Sequence, residues 1–105
     1  MKNIKTHNEI MPDADWGLIP DYMKDGVARY VEYGIMPGGF LTAVLENNLF
    51  MAVGKADGCN KQLLANWCMF VWNELPATCW GDKETVKAWA KSRMDAFEGK
   101  VDVNV

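Results

Sequence analysis

The chain has a single histidine, His7, and it lies in a polar stretch near the N-terminus. A Cys-His or Ser-His pair therefore has no good candidate for its base. Three cysteines, Cys59, Cys68 and Cys79, cannot all pair with one another, and none stands in a Cys-x-x-Cys. They read as reduced thiols of a cytoplasmic protein, in apolar surroundings where a thiol is inert. No group of Asp, Glu, His and Cys has the spacing of metal ligands. No metal, no cofactor and no enzyme chemistry is expected. A basic excess is missing too. Eleven Lys and Arg face fourteen Asp and Glu, a formal charge of −3, which argues against general nucleic-acid binding by a charged surface. The most apolar segment, 40–53, is interrupted by Glu46-Asn47-Asn48. A bilayer span needs about 20 apolar residues, so no membrane partner is expected. The first residues, Met-Lys-Asn-Ile-Lys-Thr-His, lack the apolar stretch of a secretory signal.

What the chain does have is bulk. Half of its residues are hydrophobic, with five Trp and seven Met among 105. That is enough for one domain with a real core and no disulfide. Trp carries much buried area and Met fills irregular gaps between helices. Trp is also a frequent interface anchor. Five indoles are hard to hide in one domain of this size, and a homo-oligomer is expected.

Residues 1–15 are polar and without periodicity, and read as a flexible N-terminal arm. Residues 16–99 read as a helical domain, and 100–105 as a short C-terminal tail. The tail alternates in polarity and would suit a strand paired with another subunit. Pro20 suits the first position of a helix whose apolar face is Met23, Val27, Tyr30 and Val31. Gly34 closes it in the left-handed conformation. A second helix starts near Pro37, with Phe40, Leu41, Val44 and Leu45 on its buried face. Whether Asn47-Asn48 divides it from Leu49–Val53 stays open. Asp57 is the N-cap of a third helix. Apolar residues run nearly all the way round that helix from Leu63 to Trp72, as in a central one. Pro76 ends it. Asp82 caps the last helix, which buries Val86, Trp89, Ala90, the Arg93 stem and Phe97 and stops at Gly99. The expectation is an all-α fold, a small compact bundle of four to five short helices.

Candidate binding residues gather at the Pro37-Gly38-Gly39 turn. The first N–H groups of a helix lack intrahelical partners, and no Ser, Thr, Asp or Asn caps this one. Gly38 and Gly39 let another group approach the backbone, so a phosphate or carboxylate would suit the site. Water or a neighbouring carbonyl would satisfy the same donors. Arg29 and Tyr33, one turn apart, suit a phosphate and a base, or are a solvated Arg over a ring. Lys83, Lys87 and Lys91 make a basic stripe, or ordinary surface pairs with Glu84 and Asp95. Trp80 is a stacking platform, an interface anchor or a plug that closes the bottom of the core. The expected ligand set is Gly38, Gly39, Arg29, Tyr33, Lys55 and Trp80.

Several segments, taken in order, resemble a group of small proteins encoded by tailed bacteriophages and prophages. They are Ile19-Pro20-Asp21, Arg29–Ile35, Pro37–Leu49, Ala56-Asp57, Asn73–Pro76 and Cys79-Trp80-Gly81, with Val86 and Trp89. The resemblance covers roughly residues 18–91. It implies an origin and carries no catalytic residues. By analogy with other small phage proteins, it implies a non-enzymatic binding protein in the host bacterial cytoplasm. Such a protein would blunt host defence by binding a host protein or by sequestering a small anionic ligand such as a nucleotide. The alternative is a virion or DNA-packaging accessory protein with an assembly role.

Overall fold

The structure is a computed structural model and describes residues 5–101. Among the described residues the fold is all-α, with no strand. The helices are α1 (His7–Ile10), α2 (Asp21–Tyr33), α3 (Gly39–Leu45), α4 (Leu49–Lys55), α5 (Gly58–Gln62), α6 (Leu64–Glu74) and α7 (Lys83–Val101). Five of them have seven residues or more. The count exceeds the expected four to five because two expected helices are each divided and α1 forms in the stretch expected to be an arm.

The first division is at Asn47, whose φ is +62°. Asn tolerates the left-handed region better than most side chains. The Asn48 side chain then accepts from Met51 N at 3.2 Å and caps α4. One helix thus becomes a hairpin of two, α3 and α4. The second division is at Leu63, between α5 and α6. Asp57 caps α5, as expected, accepting from Asn60 N at 2.8 Å. Asn60 is itself buried, at 3 % exposure. Its side-chain oxygen accepts from Trp67 Nε1 at 2.9 Å, so a buried indole donor is satisfied.

The core is built from Val27, Tyr30 and Val31 of α2, Leu41 and Leu45 of α3, Trp67 and Phe70 of α6, and Val86 of α7. Full burial of one such aliphatic or phenyl side chain contributes about 1.5–3 kcal/mol. Tyr30 is fully buried, and its hydroxyl donates to Cys79 O at 2.7 Å. That bond ties α2 to the turn before α7. Gly34, at φ +74°, closes α2 by donating to Tyr30 O at 2.9 Å. Pro20 is the N-cap of α2 and not its first residue. Arg93 reaches from α7 to the last turn of α2, where its Nε donates to Glu32 O at 2.9 Å.

Three expectations differ from what is found. Residues 5–15 were expected to be a loose arm; here they are seated on α2. Thr6 and Glu9 form a reciprocal capping box around α1. His7 Nδ1 lies 2.9 Å from Asp25 Oδ1, with its ring edge-on to Trp16. Ile10, Met11 and Ala14 pack at the rim of the core. Secondly, α7 runs past Gly99 to Val101. A helical Gly costs about 1 kcal/mol against Ala, too little to stop a helix of this length. The expected C-terminal strand therefore begins inside a helix, and residues 102–105 lie outside the described residues. Thirdly, α6 is not central. Trp67, Phe70 and Val71 point inward, but Cys68, Met69 and Trp72 are exposed.

Candidate functional site

The α3–α4 hairpin governs where the candidate residues fall. Asn47 and Asn48 fold α4 back along α3, so the end of α4 returns to the start of α3. Lys55 is thereby brought against Gly39. A Cβ at Gly39 would come within 2.8 Å of Lys55 Cδ and 3.7 Å of its Nζ. Lys55 lies across this glycine because no side chain is there.

A cleft of about 410 Å³ opens beside this contact. Gly39, Thr42 and Ala43 of α3 and its C-cap Glu46 form one wall, and Met51 and Lys55 of α4 another, with Asn48 at the turn. Lys83, at the start of α7, completes the lining. Among the described residues, neither the Lys55 nor the Lys83 ammonium has a carboxylate within ion-pair distance; the ion pairs formed involve Lys5, His7, Lys24 and Lys91. Two cations that form no ion pair among the described residues thus border one cleft in an acidic protein. With only two turns, α3 is too short for its N-terminus to make an anion site alone. Lys55 and Lys83 bring two positive charges to the lining, and Glu46 one negative charge. Glu46, Thr42 and Asn48 add hydrogen-bonding groups on the same walls.

On the other flank of α3, Gly38 joins a separate cleft of about 270 Å³. Arg29 lines it, with Tyr22, Met23 and Gly26 of α2 and residues 35–37. Arg29 is exposed there. The Tyr22 hydroxyl donates to Asp57 Oδ2 at 2.6 Å, which raises the phenol's pKa and holds the Asp57 carboxyl below the usual carboxylate range.

The expected ligand set is therefore divided. Gly39 meets Lys55, and Gly38 meets Arg29, on opposite sides of the same helix start. Tyr33 joins neither. It is 9 % exposed, its ring packs edge-on to Phe97 at 5.0 Å, and its hydroxyl accepts from Lys5 N at 3.3 Å. Residues 5–11 and the long α7 cover the face of α2 that looked exposed. Trp80 lies at the far end of α3. Gly81 N donates to Leu45 O at 2.8 Å, pinning this loop to the last turn of that helix. The rise of seven residues is about 10 Å, which keeps Trp80 from the Gly38-Gly39 end. Its half-buried ring instead leans on Trp72, centroids 5.5 Å apart.

The cysteines also differ from expectation. Only Cys79 is buried, and burial pushes its thiol up to about 12. Cys59 and Cys68 are exposed. Glu46, Thr42, Asn48 and Met51 were missed as cleft residues, and Lys83 was named only as part of a basic stripe with Lys87 and Lys91, neither of which lines the cleft. All but Lys83 follow once Asn47-Asn48 is read as the turn of a hairpin. Lys83 comes from across the chain, and no local signal places it.

Among the described residues, no helix is long and apolar enough to cross a membrane. Comparison with protein-family models, characterised proteins and solved structures found no match to this chain.

Proposed function

We propose that this chain is a small non-enzymatic binding protein that takes a phosphate-bearing small molecule, of nucleotide class, in the Gly39–Lys55–Lys83 cleft. The observation that carries the reading is the pair of lysines on one cleft, neither in an ion pair among the described residues. Its volume falls within the usual range for small-molecule sites, about 300–1,000 Å³. Lys55 and Lys83 would hold the phosphates as point charges. Glu46 would repel a bare anion, but its carboxylate suits a ribose hydroxyl or an exocyclic amine. A nucleotide therefore fits the mixed lining better than inorganic phosphate does. Binding without turnover, in the bacterial cytoplasm, agrees with a phage-encoded factor that withdraws a nucleotide signal from host defence.

The test is calorimetric titration of the full chain with ATP, a cyclic dinucleotide and inorganic phosphate. One nucleotide is expected to bind, phosphate to bind much more weakly, and Lys55→Ala with Lys83→Ala to abolish binding. Gly39→Ala is expected to weaken binding while leaving the fold intact, because the new methyl meets only the flexible end of Lys55. No binding by either nucleotide, or binding indifferent to both lysines, overturns the reading. Stoichiometric presence of the chain in phage particles would favour the alternative, an assembly role in the virion or in DNA packaging.

A further inference from the structure

The pattern of α6 is that of a helix buried on every side, yet one side is bare. Trp72 is 72 % exposed and Met69 51 %, and Cys68 beside them is exposed. Across a shallow trough, α4 presents Leu49 at 55 %, Phe50 at 86 % and Val53 at 38 %. Ala52, on the opposite side of α4 from Phe50, is the residue that faces the core. One hollow lies between α4 and α6, and a second, sharing Val44, Asn47 and Cys68 with it, lies between α6, the end of α3 and Trp80. The larger, about 200 Å³, is walled by Val71, Trp72 and Trp80. No charged residue occurs in 49–53 or in 64–73.

We infer that this face pairs with the same face of a second copy about a two-fold axis, with Phe50 of each protomer seated in the Trp72–Trp80 hollow of the other. Three arguments select a second copy as the occupant. The first is area. At about 200 Å² for an aromatic side chain, and somewhat less for the aliphatic ones, these exposures amount to roughly 600 Å² of apolar surface. A standard interface buries about 800 Å² per partner, and about 65 % of a homodimer interface is apolar. The bare face is thus the size that a stable dimer needs. The second is charge. Two chains of formal charge −3 repel, and a face without charged residues adds nothing to that repulsion where they meet. An uncharged face offers nothing to steer a basic or acidic partner. The third is shape. A two-fold interface requires a surface complementary to itself, and this one carries a projecting phenyl ring and a hollow side by side. A cavity of about 150 Å³ accepts benzene, so the larger hollow holds the ring.

The test is the mass of the full chain in solution by light scattering, with thiol labelling as a second readout. The expected mass is twice 11.8 kDa. Phe50→Asp, at a side chain almost wholly in solvent, is expected to halve the mass without changing the circular dichroism. Cys68 is expected to react with a maleimide more slowly than the exposed Cys59 in the parent, and to recover its rate in Phe50→Asp while Cys59 does not change. A monomeric parent, an oligomer larger than a dimer, a dimer that survives Phe50→Asp, or a Cys68 that reacts as fast as Cys59 in the parent, overturns the inference.

Discussion

Gly34→Ala isolates the contact on which the docking of α2 against α7 depends. Gly34 has φ +74°, a region costly for a side chain, and its α-carbon faces the last helix. An added Cβ would overlap Ala90 O and stand 3.0 Å from Arg93 Cβ. Neither neighbour is the loose end of a side chain. One is helix backbone, and the other is fixed by the Arg93 bond to Glu32 O. The left-handed conformation costs about 1–2 kcal/mol for a residue with a Cβ. Forcing a methyl into a packed contact adds about 1–3 kcal/mol. Reduced freedom of the unfolded chain offsets about 0.4–1 kcal/mol. The net loss is about 3 kcal/mol, a large part of the roughly 5–15 kcal/mol that holds a domain together. Urea unfolding followed by Trp fluorescence would read it as a drop in midpoint. Gly26→Ala is the control. Gly26 lies inside the same helix, and a Cβ there meets nothing within 4 Å. That change is expected to stabilise by about 0.5–1 kcal/mol. If Gly34→Ala stays within about 0.5 kcal/mol of the parent, on the usual scale of a neutral surface change, the argument for a close α2–α7 approach is wrong.

Two further predictions concern stability. Tyr30→Phe removes the donor to Cys79 O and leaves a buried carbonyl unpaired, at an expected cost of about 1–3 kcal/mol; an unchanged urea midpoint would refute it. The second concerns acid. Asp21, Asp25, Asp57 and Asp82 all have folded pKa values below the ordinary 3.8, held down chiefly by hydrogen bonds from Lys24, His7, Tyr22 and the Thr85 N–H respectively. A carboxyl whose pKa is lower in the folded state stabilises it at every pH above the unfolded value. Protonation removes that contribution as pH falls through the folded values. The contribution of these four groups is therefore expected to be constant from neutral pH down to about 5 and to fall below about 4. Replacing all four with Asn should flatten the acid limb of a plot of urea midpoint against pH. An unchanged limb would place the acid sensitivity elsewhere.

Local chemistry was legible in the sequence and long-range covering was not. Gly34 as a left-handed helix end, Asp57 and Asp82 as caps, and Pro76 as a stop are all set within a few residues, and each is found. The break at Asn47-Asn48 stayed open because Asn is allowed inside a helix and only marginally prefers to leave it. In the fold the break carries a left-handed Asn47 and an Asn48 cap, and Gly81 N takes up the last carbonyl of α3 from across the chain. The burial of Tyr33 depends on Phe97, sixty-four positions further along, and on residues near the N-terminus that show no periodicity of their own. The meeting of Gly39 and Lys55 was half legible. Both residues were in the expected set, but the turn that joins them had not been recognised as a turn. The apolar circumference of α6 was read as that of a central helix, whereas Cys68, Met69 and Trp72 are exposed.

The two surfaces proposed above are not independent features, because α3 is a wall of both. Thr42, Ala43 and Glu46 face the cleft, while Val44 and Asn47 line the trough. Asn48 borders both sides and caps α4. Helix α4 inserts one small residue, Ala52, into the core and leaves Leu49, Phe50 and Val53 outside. A helix of seven residues held by so little buried surface is poorly fixed by its own propensity. Its position depends on the hairpin with α3 and on whatever covers its outer side. Lys55 sits at the end of this helix, so covering Phe50 would also set where Lys55 stands above Gly39. Assembly through the apolar face and binding in the lysine cleft would then bias the same element, which is the physical condition for the two to be coupled.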